Sequence, residues 1–569
     1  MIILGINNMH DASCALVVDG KLVAAAEEER FSRIKHVTGL PVRSMSYCLN
    51  AAGIAPSDLD VVVAAWRPWV LRLRAALAFR SLLASPRIFL SKAKRGAGQM
   101  GHEWKELFTL PRLLEQHLGR GRYDVKYLEH HLAHAASAFL CSPFEEAAIV
   151  TVDGAGEEDT TVMWQGDGRK IRKLGALRLP HSLGHLYSAT TAFLGFKVQA
   201  DEYKVMGLAA MGTPKYTQYL LANVVDLRDD GTFRLKPYFL DYHLARTGRF
   251  SPEVEQLFGA PRGRDEEISE RHADVAASVQ RAVEEALFHM LRKVHERTRS
   301  PRLALAGGVA LNCTANGKIF ANTPFREVFV QPAAGDNGTS LGAALYWANP
   351  GPQRITASLP HAYWGPSYSR EGIENAMREA GVSYTEFAED ALIERVATLL
   401  SEGNVVGWFH GRMEWGPRAL GARSLLADPR RPDIKEKINR IIKKREPFRP
   451  FAPSVLAERA ADYFEGYQPS PFMLFTFPVR AEKRGTIPAV THTDGTARPQ
   501  GVTEAANPRY YRLIRKFEEL TGIPMLLNTS FNVDEPIVCS PQHALTTFKG
   551  CEMNYLVLEN FLVAKPLAA

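Results

Sequence analysis

The feature that most constrains this chain is a pattern that occurs twice. Ile2–Ile6 is an apolar run, a polar loop follows, and Cys14–Val18 and Leu22–Ala26 flank the dipeptide Asp19-Gly20. Two apolar runs joined by Asp-Gly predict a β-hairpin. Downstream, the apolar run Ala147–Val152 ends in Asp153-Gly154, and Thr160–Gln165 and Arg169–Leu174 flank the turn Gly166-Asp167-Gly168. Strand, polar loop and hairpin, used twice, predict two related lobes that each present a loop at a strand end. Between the copies, a helix entered at Pro41 carries apolar residues at Met45, Leu49 and Ile54, and Leu59–Ala65 reads as a buried strand.

At 569 residues the chain has room for about three or four domain-sized units. Hydrophobic residues at 46% and charged residues at 23% exclude global disorder. The longest apolar runs, such as Val61–Trp66, fall well short of the ~20 residues that span a bilayer. The start, MIILGINNMHDAS, has no basic stretch before its apolar run and so does not read as a signal peptide. Six cysteines without a CxxC pair point to free thiols in a reducing cytoplasm. The net charge of +7, from 69 basic and 62 acidic residues, is mild and calls for neither a nucleic-acid nor a membrane partner.

Arg67–Arg122 carries twelve Lys/Arg against three Glu, with Trp69, Phe79 and Phe89 interleaved. It reads either as an insertion lining an acceptor or oligomer surface, compatible with a homodimer, or as a solvated amphipathic helical pair. Leu303–Ala306 is a short buried strand ending in Gly307-Gly308, Ala333–Ser340 is a Gly-rich loop, and Leu341–Trp347 enters a helix. Asn349-Pro350-Gly351-Pro352 reads as a linker, after which helices near Glu371–Ala380 and Ala391–Glu402 and strands at Val405–Phe409, Met525–Leu527 and Tyr555–Leu558 form a second unit.

Four groups of residues carry chemistry. His130 and His134 lie four apart, so a helix puts both on one face, one turn apart, where two imidazoles suit one metal ion. Two helix-surface histidines are the competing reading. Asp153 at a strand end and Asp336 in Gly335-Asp336-Asn337-Gly338 would complete a mixed N/O set suited to Fe(II), Mn(II) or Zn(II). Gly307, Gly308 and Asn312 follow a strand and open a predicted helix, where a nucleotide approaches the backbone and a phosphate meets helix N–H groups. His10, in the loop after the first strand, reads as a general base for a hydroxyl or as a residue that orders its turn. Finally, twelve Lys and Arg crowd Arg412–Arg449, Arg418, Lys443 and Arg449 among them; Arg498 and Asn528 follow. Such a cluster neutralises a highly anionic small substrate such as a nucleoside triphosphate. An RNA groove is the rival, but Ile434–Arg445 holds no aromatic residue for base stacking.

The stretches HDASCALVVDG (10–20), EEERFSRIKH (27–36), EHHLAHAASAF (129–139), GGVALNC (307–313), GDNGTSLGAAL (335–345), GRMEWGPRALGARSLLADPR (411–430), KREPFRPFAPSVL (444–456) and NTSFNVDEPIV (528–538) together resemble the NodU/CmcH family of O-carbamoyltransferases, TobZ-like members included. The resemblance spans nearly the whole chain. It implies a mixed α/β (α+β) protein: a duplicated actin-like (ASKHA) domain over 1–348 with the basic insertion at about 67–122, a linker over 349–365, and a YrdC-like domain over 366–569. It implies carbamoyl-adenylate formation from carbamoyl phosphate and ATP, with Mg(II), in the second domain, and transfer to a small-molecule hydroxyl in the first. By the same resemblance, His130, His134, Asp153 and Asp336 bind a divalent metal, Fe(II) first and Mn(II) or Zn(II) as alternatives. His10 activates the acceptor hydroxyl. Lys35, Arg418, Lys443, Arg449, Arg498 and Asn528 hold carbamoyl phosphate and ATP, and Lys35, early in the chain, must reach across a domain boundary. The implied acceptors are natural products or nodulation-type molecules, as in antibiotic biosynthesis. Two rivals remain: a tRNA threonylcarbamoyl-type modifying enzyme, for which +7 is mild and no RNA-binding appendage is evident, and a non-enzymatic actin-fold regulator, for which the intact His and Asp set is superfluous.

Overall fold

The computed structural model describes residues 1–70, 99–119, 121, 123–168, 170–236, 248, 250–348 and 359–565. The chain divides into two compact units. Unit 1 comprises Met1–Glu28 and His36–Leu359; unit 2 comprises Glu29–Lys35 and Pro360–Ala569.

Unit 1 is built on two five-stranded sheets with one connectivity. In the first, β1 (Ile2–Asn7), β2 (Ser13–Val18) and β3 (Lys21–Glu27) form an antiparallel meander, and β4 (Val61–Ala64) and β5 (Asp124–Tyr127) add in parallel beside β1, in the order β3-β2-β1-β4-β5. In the second, β6 (Glu146–Val152), β7 (Asp159–Asp167) and β8 (Lys170–Arg178) form the meander. A short hairpin, β9 (Val225–Leu227) and β10 (Phe233–Leu235), stands apart. Then β11 (Arg302–Ala306) and β12 (Glu327–Val330) add in parallel beside β6, in the order β12-β11-β6-β7-β8. The duplication suggested by the two hairpins is therefore a duplication of whole sheets. Its inner parallel strands, β4 and β11, are buried almost throughout and read as apolar runs without alternation, whereas the edge strands β5 and β12 carry exposed Asp124 and Glu327. β4 is shorter than the apolar run Leu59–Ala65, and β7 and β8 run past the expected ends, because pairing partners rather than hydrophobicity set a strand's length.

Helix Thr339–Ala348 packs on β1, β2 and helix His130–Phe139. Small residues make that approach close. A Cβ on Gly5 would lie 1.9 Å from the Ser340 carbonyl oxygen, and one on Gly342 would lie 1.8 Å from that of Ala133. The expected helix at Gly307-Gly308 starts later than predicted. Gly308–Leu311 is a single 3₁₀ turn, and the helix proper, Cys313–Asn322, begins where the Asn312 side chain accepts from Ala315 N–H. Of the basic insertion, Gln99–Leu118 is one helix that buries Leu107, Leu110 and Leu114; residues 71–98 and the linker stretch 349–358 lie outside the described residues.

Unit 2 holds one eight-stranded mixed sheet in the order Tyr384–Glu386, Phe561–Ala564, Tyr555–Leu558, Val406–Phe409, Arg423–Ala427, Met525–Ser530, Ala452–Leu456, Gln500–Val502. The segment Glu29–Lys35 is fixed in this unit: Arg30 donates to Gly416 O, and Arg33 to Ile537 O and Pro536 O. The whole chain is thus mixed α/β. Among the described residues no helix is long and apolar enough to cross a membrane, and the six cysteines are buried and form no disulfide.

Candidate functional site

Four donors converge in unit 1. His130 and His134 project from the helix His130–Phe139, both completely buried. Asp153 immediately follows β6, and Asp336 opens the single turn before helix Thr339–Ala348. The two imidazole Nε2 atoms are 3.1 Å apart. Asp153 Oδ2 lies 3.2 Å from one and 3.4 Å from the other, and Asp336 Oδ1 lies 3.5 Å from both. Metal–ligand bonds of about 2.0–2.2 Å place neighbouring ligand atoms roughly 3.0–3.5 Å apart, so the donor spacing fits one divalent ion. The donor chemistry, neutral imidazole and carboxylate without thiolate, suits Fe(II), Mn(II) or Zn(II).

The electrostatics show what packing four such groups costs. Burial pushes the His134 imidazole down, but the Asp153 and Asp336 carboxylates bonded to it outweigh that and raise it to about 9. Burial works against ionisation of Asp153, yet the two histidines bonded to it hold its carboxyl well below the ordinary range. Asp336 is raised, first by burial and then by the charge of Asp153. Its neighbourhood is fixed by backbone donors. Asp153 Oδ1 accepts from Gly154 N–H at 2.7 Å and Gly308 N–H at 3.2 Å.

The intervening His131 does something different. Its ring is buried against Thr151 Oγ1 at 2.9 Å and the Asp159 carbonyl at 3.0 Å, and burial between the two neighbouring histidines keeps it neutral, well below the usual range. Two residues near the site had no signal in the sequence. Glu157, buried, accepts from His130 N–H at 3.4 Å and from Arg67 at 3.0 and 3.1 Å. The Trp66 ring lies 4.2 Å, centroid to centroid, from that of His130.

The Gly307, Gly308, Asn312 trio sits beside this centre. Gly307 has φ +95°, and a Cβ there would lie 2.2 Å from the Val152 carbonyl oxygen. The Gly308 amide is committed to Asp153, and Asn312 exchanges hydrogen bonds with Gln280 at 2.9 and 3.0 Å. His10 lies in the loop from β1 to β2, its Nε2 3.7 Å from Asp11 Oδ2. That loop is tied to the Asp336 turn. Ser13 Oγ, at the start of β2, donates to Asn337 O at 2.7 Å, and Asn337 Nδ2 donates to Glu27 at 3.1 Å.

In unit 2, Lys443 is buried and its ammonium reaches Ser530 O, Ser530 Oγ, Asn532 O and Asn532 Oδ1 at 2.7–3.2 Å. Burial, then Arg445 and Arg449, pushes it well below the ordinary lysine value. Lys35 is among the cations acting on it and pairs with Asp534 at 3.5 Å. Arg449 pairs with Glu446. Asn528, buried, donates to Ala419 O, Ser454 Oγ and Gln500 Oε1, one residue from half-buried Arg418. Arg498 stands in the surroundings of His492, which burial drives down to about 4. The structure therefore groups Lys35, Lys443 and Arg449 around one loop, and Arg418 with Asn528 around another part of the sheet.

Residues 2–345 match the family description Carbamoyltransferase N-terminus, and residues 397–565 match Carbamoyltransferase C-terminus. The chain belongs to the carbamoyltransferase family and is a carbamoyltransferase enzyme. It is 43% identical to the Synechocystis protein sll1178 over 99% of this chain and 96% of that one. It is 41% identical to nodulation protein NolNO of Sinorhizobium fredii over 99% of this chain and 80% of that one. Full-length HypF in its phosphate- and nucleotide-bound form aligns over 63% of this chain and 56% of its own at 11% identity and a TM-score of 0.34.

Proposed function

We propose that the enzyme is an ATP-dependent O-carbamoyltransferase that activates the carbamoyl group in unit 2, as a YrdC-like domain, and transfers it in unit 1, as an actin-like one. In the first step carbamoyl phosphate is cleaved by water to carbamate and phosphate, and a carbamate oxygen attacks the α-phosphorus of ATP–Mg(II). Pyrophosphate leaves and carbamoyl-adenylate forms. In the second step the acceptor hydroxyl oxygen attacks the carbamoyl carbon, the bond to the adenylate oxygen breaks and AMP leaves, while His10 takes the hydroxyl proton. Adenylation supplies the leaving group that carbamate lacks.

The observation that carries this reading is the four-donor centre, whose imidazole nitrogens lie 3.1 Å from each other and 3.2–3.5 Å from the two carboxylate oxygens, in a unit separate from the arginine-rich one. Two sites of unlike chemistry suit two unlike steps. His130, His134, Asp153 and Asp336 would hold the divalent metal, which as a Lewis acid favours negative charge on a phosphate oxygen. Lys35, Arg418, Lys443, Arg449, Arg498 and Asn528 serve the phosphates of the first step by charge-assisted hydrogen bonds, and Gly307, Gly308 and Asn312 face the nucleotide in unit 1. The duplicated sheets of unit 1 support the actin-like assignment. The nodulation proteins among the relatives favour an acceptor of the nodulation or natural-product type. The enzyme so described works in the cytoplasm without nucleic-acid or membrane partners.

The deciding experiment offers the enzyme a panel of hydroxyl acceptors with carbamoyl phosphate and ATP. Mass spectrometry should find one carbamoyl group on one acceptor, and pyrophosphate release should require carbamoyl phosphate. Transfer without ATP, or pyrophosphate release without carbamoyl phosphate, overturns the reading.

A further inference from the structure

The loop that carries His10 is more tightly specified than a surface turn needs to be. Asp11 has φ +54° and His36 has φ +53°, both left-handed conformations that a residue other than glycine adopts at a cost of about 1 kcal/mol or more. These two strained residues face each other. His36 Nδ1–H donates to Asp11 Oδ1 at 2.8 Å, and the carboxylate's other oxygen stands 3.7 Å from His10 Nε2. The His10 and His36 rings are parallel within 9°, their centroids 5.4 Å apart. The backbone is held from three further points. Asn7 Nδ2 donates to His10 O at 2.6 Å and to Asp11 O at 3.2 Å, Ala12 N–H donates to Val37 O, and Gly39 N–H donates to Asn8 O. All three side chains remain about one-third exposed. Strain that is over-determined and exposed is strain kept for aiming a side chain.

We propose that Asp11 and His36 are positioning residues for His10: the His36-anchored carboxylate of Asp11 faces His10 Nε2–H and leaves His10 Nδ1 as the atom that takes the acceptor's proton. At 3.7 Å the carboxylate acts on the ring through its charge, so the imidazolium formed as the hydroxyl proton reaches Nδ1 sits opposite a fixed negative charge. His36 does not touch the acceptor. It fixes Asp11, as a third group fixes the carboxylate–histidine pair wherever a histidine base must be aimed. The inference rests on the reading of His10 as the base of the second step.

The test is a double-mutant cycle on full-length enzyme, read as single-turnover transfer to the hydroxyl acceptor that the panel experiment selects, with carbamoyl-phosphate-dependent pyrophosphate release measured alongside. Asp11→Asn keeps the shape and tolerates φ above zero, so it removes chiefly the charge. It should lower the transfer rate about 10²-fold, at the lower end of what a general base contributes, with KM for the acceptor within about threefold. In a His10→Ala background the same change should cost under about twofold, because residues acting through one group are not additive. His36→Asn keeps an N–H donor and the backbone conformation and should retain most of the rate; His36→Leu should not. Equal penalties for Asp11→Asn in both backgrounds, a loss confined to KM, or a second divalent ion per chain that His36→Leu removes, overturns the inference. If His10→Ala alone leaves transfer intact, the assignment of His10 as the base fails first, which separates that failure from this one.

Discussion

At the scale of single residues, the decisive quantity is what a buried polar group does when its partners are removed. Asp153 holds both metal-site histidines on one oxygen and two backbone amides on the other. Asp153→Asn keeps the shape but loses a ligand's charge, so metal affinity should fall at least about 100-fold, more than the loss of an outer-shell partner. Metal per chain after dialysis, by inductively coupled plasma mass spectrometry, checks this; unchanged content would remove Asp153 from the ligand set. Lys443 is the corresponding case in unit 2. Its four acceptors on Ser530 and Asn532 have the ammonium in their midst, so Lys443→Met should cost about 2–4 kcal/mol in urea unfolding through unsatisfied buried groups. Stability within about 0.5 kcal/mol of wild type would show that those acceptors find other donors.

At the scale of elements, the four-donor centre depends on how closely two helices approach. Gly342 lets helix Thr339–Ala348 rest on helix His130–Phe139 where a Cβ would meet the Ala133 carbonyl at 1.8 Å. Gly342→Val should push the helices apart, cost about 3 kcal/mol or somewhat more, and release metal although no ligand has changed. Retained metal at wild-type stability would mean the helices yield elsewhere. A second element carries its own pH dependence. Helix Pro541–Gly550 is capped by Ser540, while His543 Nδ1 accepts from Ser540 N–H and Cys539 N–H. Burial, then the Arg33 charge, lowers His543 from 6.5 to about 4. The neutral ring is the one the fold favours. Its contribution is therefore complete above about pH 6.5 and is lost as pH falls toward 4. With allowance for screening at a half-buried ring, wild type should lose about 1 kcal/mol more between pH 7 and pH 5 than His543→Gln does. Parallel losses in the two proteins would assign the acid sensitivity to other groups.

At the scale of the whole molecule, the division into two units makes a kinetic statement testable. If activation belongs to unit 2 and transfer to unit 1, substitutions in the two units should fail differently. Arg418→Ala should abolish carbamoyl-phosphate-dependent pyrophosphate release, while Asp153→Asn should leave that release within about threefold and stop carbamoylation of the acceptor, a loss of at least about 100-fold. Loss of both steps in both variants would mean that one site performs the whole reaction.

The sequence by itself determined what is local. A hairpin needs only neighbouring apolar runs and an Asp-Gly turn, and two histidines four apart share a helix face whatever else the chain does. The residue types of the four-donor centre and the duplicated sheets were legible for that reason. Tertiary structure decided everything that depends on meeting distant chain. It turned His130 and His134 inward while His131 found Thr151 and Asp159, and it brought Glu157 and Trp66 to the ligand helix. It gave the Gly308 amide to Asp153 and moved the helix start to Cys313. It placed Glu29–Lys35 in unit 2 and set Asp11 against His36. Periodicity and turn chemistry act over a few residues. Which face of a buried element meets which partner is settled only when distant segments compete for the same space, and a linear pattern does not encode the outcome of that competition.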